Sequence, residues 1–141
     1  CMTSKHMQFL EECRDRVSHY PNSEIQRAAD DFMRASFQPK YSYNFSWMGR
    51  PIIQYPQDIV AMQELIWSIK PDLIIETGIA HGGSLILNAS ILAQLDMCEA
   101  IESGSSFNPK DSRRKVLGID IDIRAHNLAA IEAHPCLPVS K

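Results

Sequence analysis

The stretch that decides the fold runs from residue 71 to residue 84 and has the sequence PDLIIETGIAHGGS. Its first half is a short apolar run between Pro71 and a glycine turn, a pattern that predicts a parallel strand buried on both faces. Its second half carries three glycines, and apolar residues then recur at helical spacing over residues 84–98. The stretch therefore predicts a strand, a glycine turn and a helix in succession.

The segments further along the chain extend this pattern. Residues 56–70 form the strongest predicted helix, residues 116–120 repeat the buried-strand pattern, and residues 124–134 are predicted to be helical. A polar loop over residues 102–115 lies between the helix over residues 84–98 and the strand over residues 116–120. Strands that alternate with helices imply a parallel sheet, so the predicted fold class is α/β.

Two segments precede this α/β pattern. Residues 1–38 are predicted to be an N-terminal helical extension, with one helix over residues 6–20 and a second after a capping box formed by Ser23 and Gln26. Both helices carry an apolar face that we expect to be buried. Residues 39–56 are crowded with aromatic side chains and prolines, which is typical either of a connecting loop anchored to the core or of a pocket wall.

The glycine turn has the composition of a ligand-binding loop. Gly78 allows a sharp turn after the strand. The missing side chains of Gly82 and Gly83 would let a ligand approach the backbone, or would let the helix and the strand pack tightly. Ser84 is placed to cap the next helix. Because ligands of open α/β sheets bind at the carboxyl ends of the strands, the turn is the expected site.

The spacing narrows the ligand class. Ala80 stands where a dinucleotide-binding loop needs its second glycine, and no lysine follows as in a phosphate loop. What remains is an acidic residue two positions before a glycine, followed after three more residues by Gly-Gly-Ser. S-adenosylmethionine has no phosphate, and Glu76 could stabilise its positive groups directly or through water. Asp120, with Asp122 as second choice, follows the next strand and suits the hydroxyls of a ribose. His81 is either a polar contact near the methyl group or an exposed loop residue.

These residues resemble the cephalosporin hydroxylase / rhamnosyl O-methyltransferase family. The resemblance rests on ordered runs spanning residues 41–135, namely WMGRPI at 47–52, YPQD at 55–58, KPDLIIETG at 70–78, GGS at 82–84 and GID at 118–120. It implies a Rossmann-like class I methyltransferase fold, of which residues 39–141 would be the partial, N-terminal portion, because the family continues with further strands. It also implies methyl transfer from S-adenosylmethionine to a hydroxyl of a sugar or natural-product scaffold.

The expected site follows from both arguments. The predicted cofactor-binding residues are Glu76, Gly78, His81, Gly82, Gly83, Ser84, Asp120 and Asp122. No catalytic base and no metal ligand is assigned within the chain, although the resemblance implies Mg²⁺ in full-length relatives. The acceptor would be a small molecule, a glycan or a glycolipid.

Composition sets the remaining expectations. A net charge of −3 and four scattered cysteines favour neither a nucleic-acid binder nor a zinc or disulfide framework. The basic run 110–115 is expected to be a solvated loop, with a contact for an anionic substrate or partner as the alternative. No signal peptide and no apolar run of membrane-spanning length is apparent, so the expected location is cytoplasmic.

Two other functions stay open at this stage. One is a nucleotide-binding oxidoreductase half-domain, against which Ala80 argues. The other is a truncated, non-catalytic Rossmann module that self-associates, because half a sheet leaves an open edge that favours a homo-oligomer.

Overall fold

A computed structural model describes residues 4–136, and the chain divides into two compact units, Cys1–Tyr41 and Ser42–Lys141. The first unit holds helices α1 (Ser4–Ser18) and α2 (Glu24–Phe37). The second holds all the strands.

The capping box at the start of α2 is present in a modified form. Ser23 Oγ accepts a hydrogen bond from the backbone N–H of Gln26 at 3.3 Å, as predicted, whereas the Gln26 side chain accepts from Asn22 N–H at 2.6 Å rather than from Ser23. The predicted burial of the apolar faces is wrong. Ile25 and Phe32 are 55% and 42% exposed, and α1 has no buried residue, because a unit of two helices has no third layer to cover these stripes.

The second unit opens with a β-hairpin that the sequence analysis did not predict. Strands β1 (Phe45–Trp47) and β2 (Arg50–Ile52) pair antiparallel after a 3₁₀ turn at Tyr41–Tyr43. The two residues that connect the strands, Met48 and Gly49, both have positive φ, 45° and 84°. This is the backbone hand that tight two-residue hairpins require.

The α/β part follows the predicted order of elements. It comprises α3 (Pro56–Ile69), β3 (Leu73–Thr77), α4 (Gly83–Ser103), a 3₁₀ turn at Pro109–Asp111, β4 (Lys115–Ile119) and α5 (Ala125–Glu132). Strands β3 and β4 are parallel, as predicted, in a register that runs from Leu73 opposite Lys115 to Thr77 opposite Ile119. Helix α4 continues five residues beyond its predicted end and stops at Gly104, whose φ of 67° closes the helix.

Helix α4 is the centre of the core. It packs against β4, against the hairpin and against α3. The buried cluster consists of Ile52, Ile66, Ile79, Leu85, Leu87, Ala89, Ile91, Leu92, Leu95, Val116 and Ile131. Contrary to expectation, α4 is also long and apolar enough to cross a membrane by length and composition, with half of the relevant window buried inside the structure. The core helix of a globular fold meets the same criterion.

The strands are covered on one face only, so the prediction that both faces are buried is wrong. Val116 lies in the core on the covered face. On the opposite face Leu73, Ile75, Leu117 and Ile119 are between 49% and 58% exposed. The packing of α4 supplies one layer, and no described element supplies the second.

The predicted basic loop contains a buried arginine. Arg114 is 1% exposed. Its guanidinium donates a hydrogen bond to the Asp96 carboxylate and lies 2.5 Å from Glu99 Oε1. This ion pair ties the start of β4 to the C-terminal half of α4, and it holds the pKa of Glu99 below its usual value. The expectation of a solvated loop is wrong for Arg114, because its side chain is buried. The two paired carboxylates make that burial of a charged guanidinium possible.

Candidate functional site

The glycine turn lies at the carboxyl ends of β3 and β4, as predicted. Gly78 N–H donates to Ile119 O at 2.8 Å, which continues the sheet pairing for one residue beyond Thr77. Ile79 then turns into the core, where it is 4% exposed. Glu76 and Asp120 therefore lie on either side of the turn, one from each strand.

Glu76 is a partly buried carboxylate held by the first turns of α4. It accepts hydrogen bonds from Ser84 Oγ and from Asn88 Nδ2, the latter at 3.1 Å. Burial raises the pKa of Glu76 above its ordinary value, and these two hydrogen bonds work in the opposite direction. Asn88 is 4% exposed, and its Oδ1 has no hydrogen-bond partner among the described residues. A buried acceptor without a donor is uncommon in folded proteins, and this one belongs to a side chain that contacts Glu76.

Asn88 was missed by the sequence analysis. It lies one helical turn after Ser84, on the same face of α4, so the two side chains reach Glu76 together. The i, i+4 spacing of two polar residues in an otherwise apolar helix was the available indication. The predicted role of Ser84 as a helix cap is wrong: the N-cap is Gly82, with φ of 79°, and Ser84 donates to Glu76 instead.

The glycines of the turn differ in what surrounds them. A side chain at Gly82 would meet Ile131 of α5 at 2.3 Å, and one at Gly83 would meet Pro51 O of the hairpin at 2.2 Å. Both are buried, so their missing side chains allow α4 to pack closely. At Gly78 a side chain would meet no atom within 4 Å.

Asp120 binds the turn from the side of β4. Its carboxylate accepts hydrogen bonds from Ile79 N–H at 2.9 Å and from Asp122 N–H at 3.2 Å. The backbone N–H donors, that of Asp122 first, hold the pKa of Asp120 below its ordinary value. Asp122 itself is exposed. Since each carboxylate oxygen has two lone pairs, Asp120 keeps acceptor capacity for a ligand.

A cleft of about 240 Å³ opens beside the turn. Its lining residues are Pro51, Ile53, Gly78, Ile79, Ala80, His81, Gly83 and Ser84. Small-molecule sites usually measure about 300–1,000 Å³, so the cleft suits part of a ligand. Pro51 and Ile53 show that the 39–56 segment does contribute a pocket wall. Its aromatic Trp47 anchors it as well, because the indole N–H donates to Ser90 Oγ at 3.0 Å.

A larger cleft, of about 340 Å³, lies at the opposite end of β4. It is lined by Asp96 and Glu99, whose carboxylates are already paired with Arg114, and by the loop that precedes the strand. Ligands of parallel sheets bind at the other end of the strands. Within residues 4–136 no group of three or more His, Cys, Asp or Glu side chains is placed to hold a metal ion.

Comparison with known proteins decides the family. Residues 39–139 match the family described as rhamnosyl O-methyltransferase/CmcI. The chain belongs to this family. The match covers the hairpin, the glycine turn and Asp120, which confirms the resemblance and supports an enzyme of the methyltransferase kind. No curated protein and no solved structure gives a significant match.

Proposed function

We propose that the chain binds S-adenosylmethionine at the glycine turn and serves O-methyl transfer to a hydroxyl of a sugar or natural-product scaffold. The α/β arrangement would then belong to a Rossmann-like class I methyltransferase fold. The observation that carries the proposal is a pair of carboxylates at the turn: Glu76, which accepts a hydrogen bond from Ser84 at the start of α4, and Asp120, which accepts one from the Ile79 N–H.

The residues present fit the functional groups of this cofactor. The partly buried Glu76 carboxylate offers an acceptor for an ammonium group. The remaining lone pairs of Asp120 offer acceptors for ribose hydroxyls. The cofactor supplies an electrophilic methyl group when bound, and the chain binds and orients it. Orientation alone lowers the barrier of such a transfer substantially.

The start of α4 argues against a dinucleotide at the same place. A pyrophosphate needs free access to the first N–H groups of the helix after the turn. Here Gly82 and Gly83 are buried against Ile131 and against the Pro51 carbonyl. The packed helix start favours a phosphate-free cofactor over NADH, and it disfavours the oxidoreductase alternative.

The test is calorimetric titration of S-adenosylhomocysteine and NADH into the purified chain, with folding checked by circular dichroism. We expect S-adenosylhomocysteine to bind and NADH not to bind. Asp120→Asn should weaken binding by about tenfold, the effect of losing one charge-assisted hydrogen bond. Asp111→Asn, which lies far from the turn, is the matched control.

The ribose contact needs a separate readout, because Asp120 also holds the backbone of Ile79. A 2′-deoxy analogue of S-adenosylhomocysteine should bind more weakly than the parent compound to the natural chain. The two compounds should bind with equal affinity to the Asp120→Asn variant. An unchanged penalty in the variant would refute the ribose contact. A folded chain that binds no S-adenosylhomocysteine at all would refute the proposed function.

A further inference from the structure

Arg50 bridges the hairpin to the glycine turn. Its guanidinium donates two hydrogen bonds to the backbone carbonyl of His81, from Nη2 at 2.6 Å and from Nε at 3.1 Å. Nη2 also lies 3.3 Å from Asn127 Oδ1. The side chain is partly buried, and these contacts join positions 31 and 77 residues apart in the chain. One arginine therefore links β2, the turn and α5.

Asn127 completes the bridge from α5. It is 6% exposed, and its Nδ2 donates to the backbone carbonyl of Ala80 at 3.2 Å while its Oδ1 accepts from Arg50. Both the Nδ2 and the Oδ1 atom of the Asn127 amide are therefore hydrogen-bonded. Two successive carbonyls of the turn, at Ala80 and His81, are fixed by two side chains that are themselves hydrogen-bonded to each other.

The backbone of the turn needs such support. Ala80 has a φ of +44°, in the left-handed region that a residue with a side chain disfavours, between Gly78 and Gly82 with φ of +76° and +79°. Strained backbone of this kind persists only where the surroundings determine it from several sides. Asp120 holds the N–H side of the turn, and Arg50 with Asn127 holds the carbonyl side.

We propose that Arg50 and Asn127 are positioning residues for the cofactor: they hold the turn in its strained conformation before the cofactor arrives. The proposal rests on the proposed function, since it takes the turn to be the cofactor loop. Preorganisation of this kind raises affinity by removing an ordering cost at binding. The guanidinium fork delivers two N–H groups to one carbonyl, which a lysine ammonium on a flexible stem does not reproduce.

The first measurement is the affinity of Arg50→Met, Arg50→Lys and Asn127→Ala for S-adenosylhomocysteine. We expect a loss of about tenfold for each, because one or two buried hydrogen bonds to the turn are removed. Arg113→Met and Asn108→Ala are matched controls: Arg113 is an exposed arginine paired with Asp72, and Asn108 caps a distant turn. Their affinity should stay within twofold of the natural chain.

The second measurement separates positioning from general stability. Ala80→Gly removes the steric objection to positive φ. In an Ala80→Gly background, Asn127→Ala should cost clearly less affinity than in the natural chain. A cost that is the same in both backgrounds would overturn the proposal, because it would mean that Asn127 does not act through the strain at Ala80.

The third measurement needs no cofactor, and it keeps this proposal distinct from the proposed function. Amide hydrogen exchange should speed up about tenfold or more at Ile79 and Gly82 in Arg50→Met and Asn127→Ala, and stay unchanged in β4. Unchanged exchange at the turn would overturn the proposal even if the chain binds S-adenosylhomocysteine. If the natural chain binds none, only the proposed function fails, and faster exchange would still establish that the two residues hold the turn.

Discussion

At the scale of single residues, the site contrasts two carboxylates. Glu76 is partly buried, and desolvation raises its pKa, whereas backbone N–H donors lower the pKa of Asp120. A carboxylate is thus easier to protonate at Glu76 and harder to protonate at Asp120. Environments that separate two titrating groups in this way are typical of sites with divided roles.

Glu76→Gln should raise stability at neutral pH and change its pH dependence. A carboxyl whose folded pKa is raised stabilises the fold below its ordinary value of 4.5, and that contribution is lost as the pH rises through the folded pKa. The neutral amide keeps a group that can bond Ser84 and Asn88 without a buried charge. We expect Tm to rise by about 2–4 °C at pH 7.

The check is a series of melts between pH 4 and pH 8. The natural chain should lose stability relative to Glu76→Gln as the pH rises, and the variant should bind S-adenosylhomocysteine more weakly. Glu102→Gln, on the exposed end of α4, is the control. A parallel pH profile in the two proteins would show that burial of the Glu76 charge does not cost stability.

The sequence predicted the site residues that follow a topological rule. Glu76 and Asp120 end parallel strands, and such positions meet at one edge of the sheet whatever the side-chain details. Arg50 and Asn127 escaped prediction because their contacts with the turn join residues 31 and 47 positions apart. These contacts exist only once the hairpin and α5 have packed on the turn.

At the scale of elements, the packing of α4 depends on the absence of a side chain at its first residue. A Cβ at Gly83 would lie 2.2 Å from Pro51 O and 2.7 Å from the Ile52 side chain. The obstacle is backbone, which cannot swing aside as a flexible side chain does. The hairpin and the start of α4 therefore pack closely, and this packing determines the position of the glycine turn.

Gly83→Ala should destabilise the chain by about 2–3 kcal/mol, because overpacking forces α4 and the hairpin apart. Gly104→Ala is the control, since its φ is +67° but a Cβ there meets nothing within 4 Å. Backbone strain alone should cost that variant about 1 kcal/mol. Urea unfolding measures both. Equal losses in the two variants would contradict the tight contact with Pro51.

The elements with strong periodicity were predicted correctly, and those without it were not. Helices α3 and α4 carry long apolar patterns, and strand β3 is a short apolar run between a proline and a glycine. Strands β1 and β2 have three residues each, too few to show alternation. Their turn at Met48 and Gly49 was the one local indication of a hairpin, because glycine suits its second position.

At the scale of the whole molecule, one face of the sheet formed by β3 and β4 is both apolar and exposed. Ile75 of β3 lies opposite Leu117 of β4, and Leu73 and Ile119 lie on the same face; each of the four is about half exposed. Contiguous apolar patches of more than a few hundred Å² usually mark an interaction surface. In the described structure each of the two strands also pairs along one edge only.

We expect this sheet face to drive self-association of the chain. Lys115 lies at one end of the face and Asp120 and Asp122 follow its other end, so two copies stacked antiparallel would place opposite charges together around the apolar centre. Light scattering on a sizing column should therefore give a mass above that of one chain at concentrations of about 100 µM, a range in which modest interfaces associate. Ile75→Lys with Leu117→Lys should restore the mass of a single chain, whereas Ile101→Lys, which replaces an exposed side chain on α4, should not. A natural chain that elutes as a sharp single-chain peak and melts cooperatively would show that the open face is tolerated in solution without a partner copy.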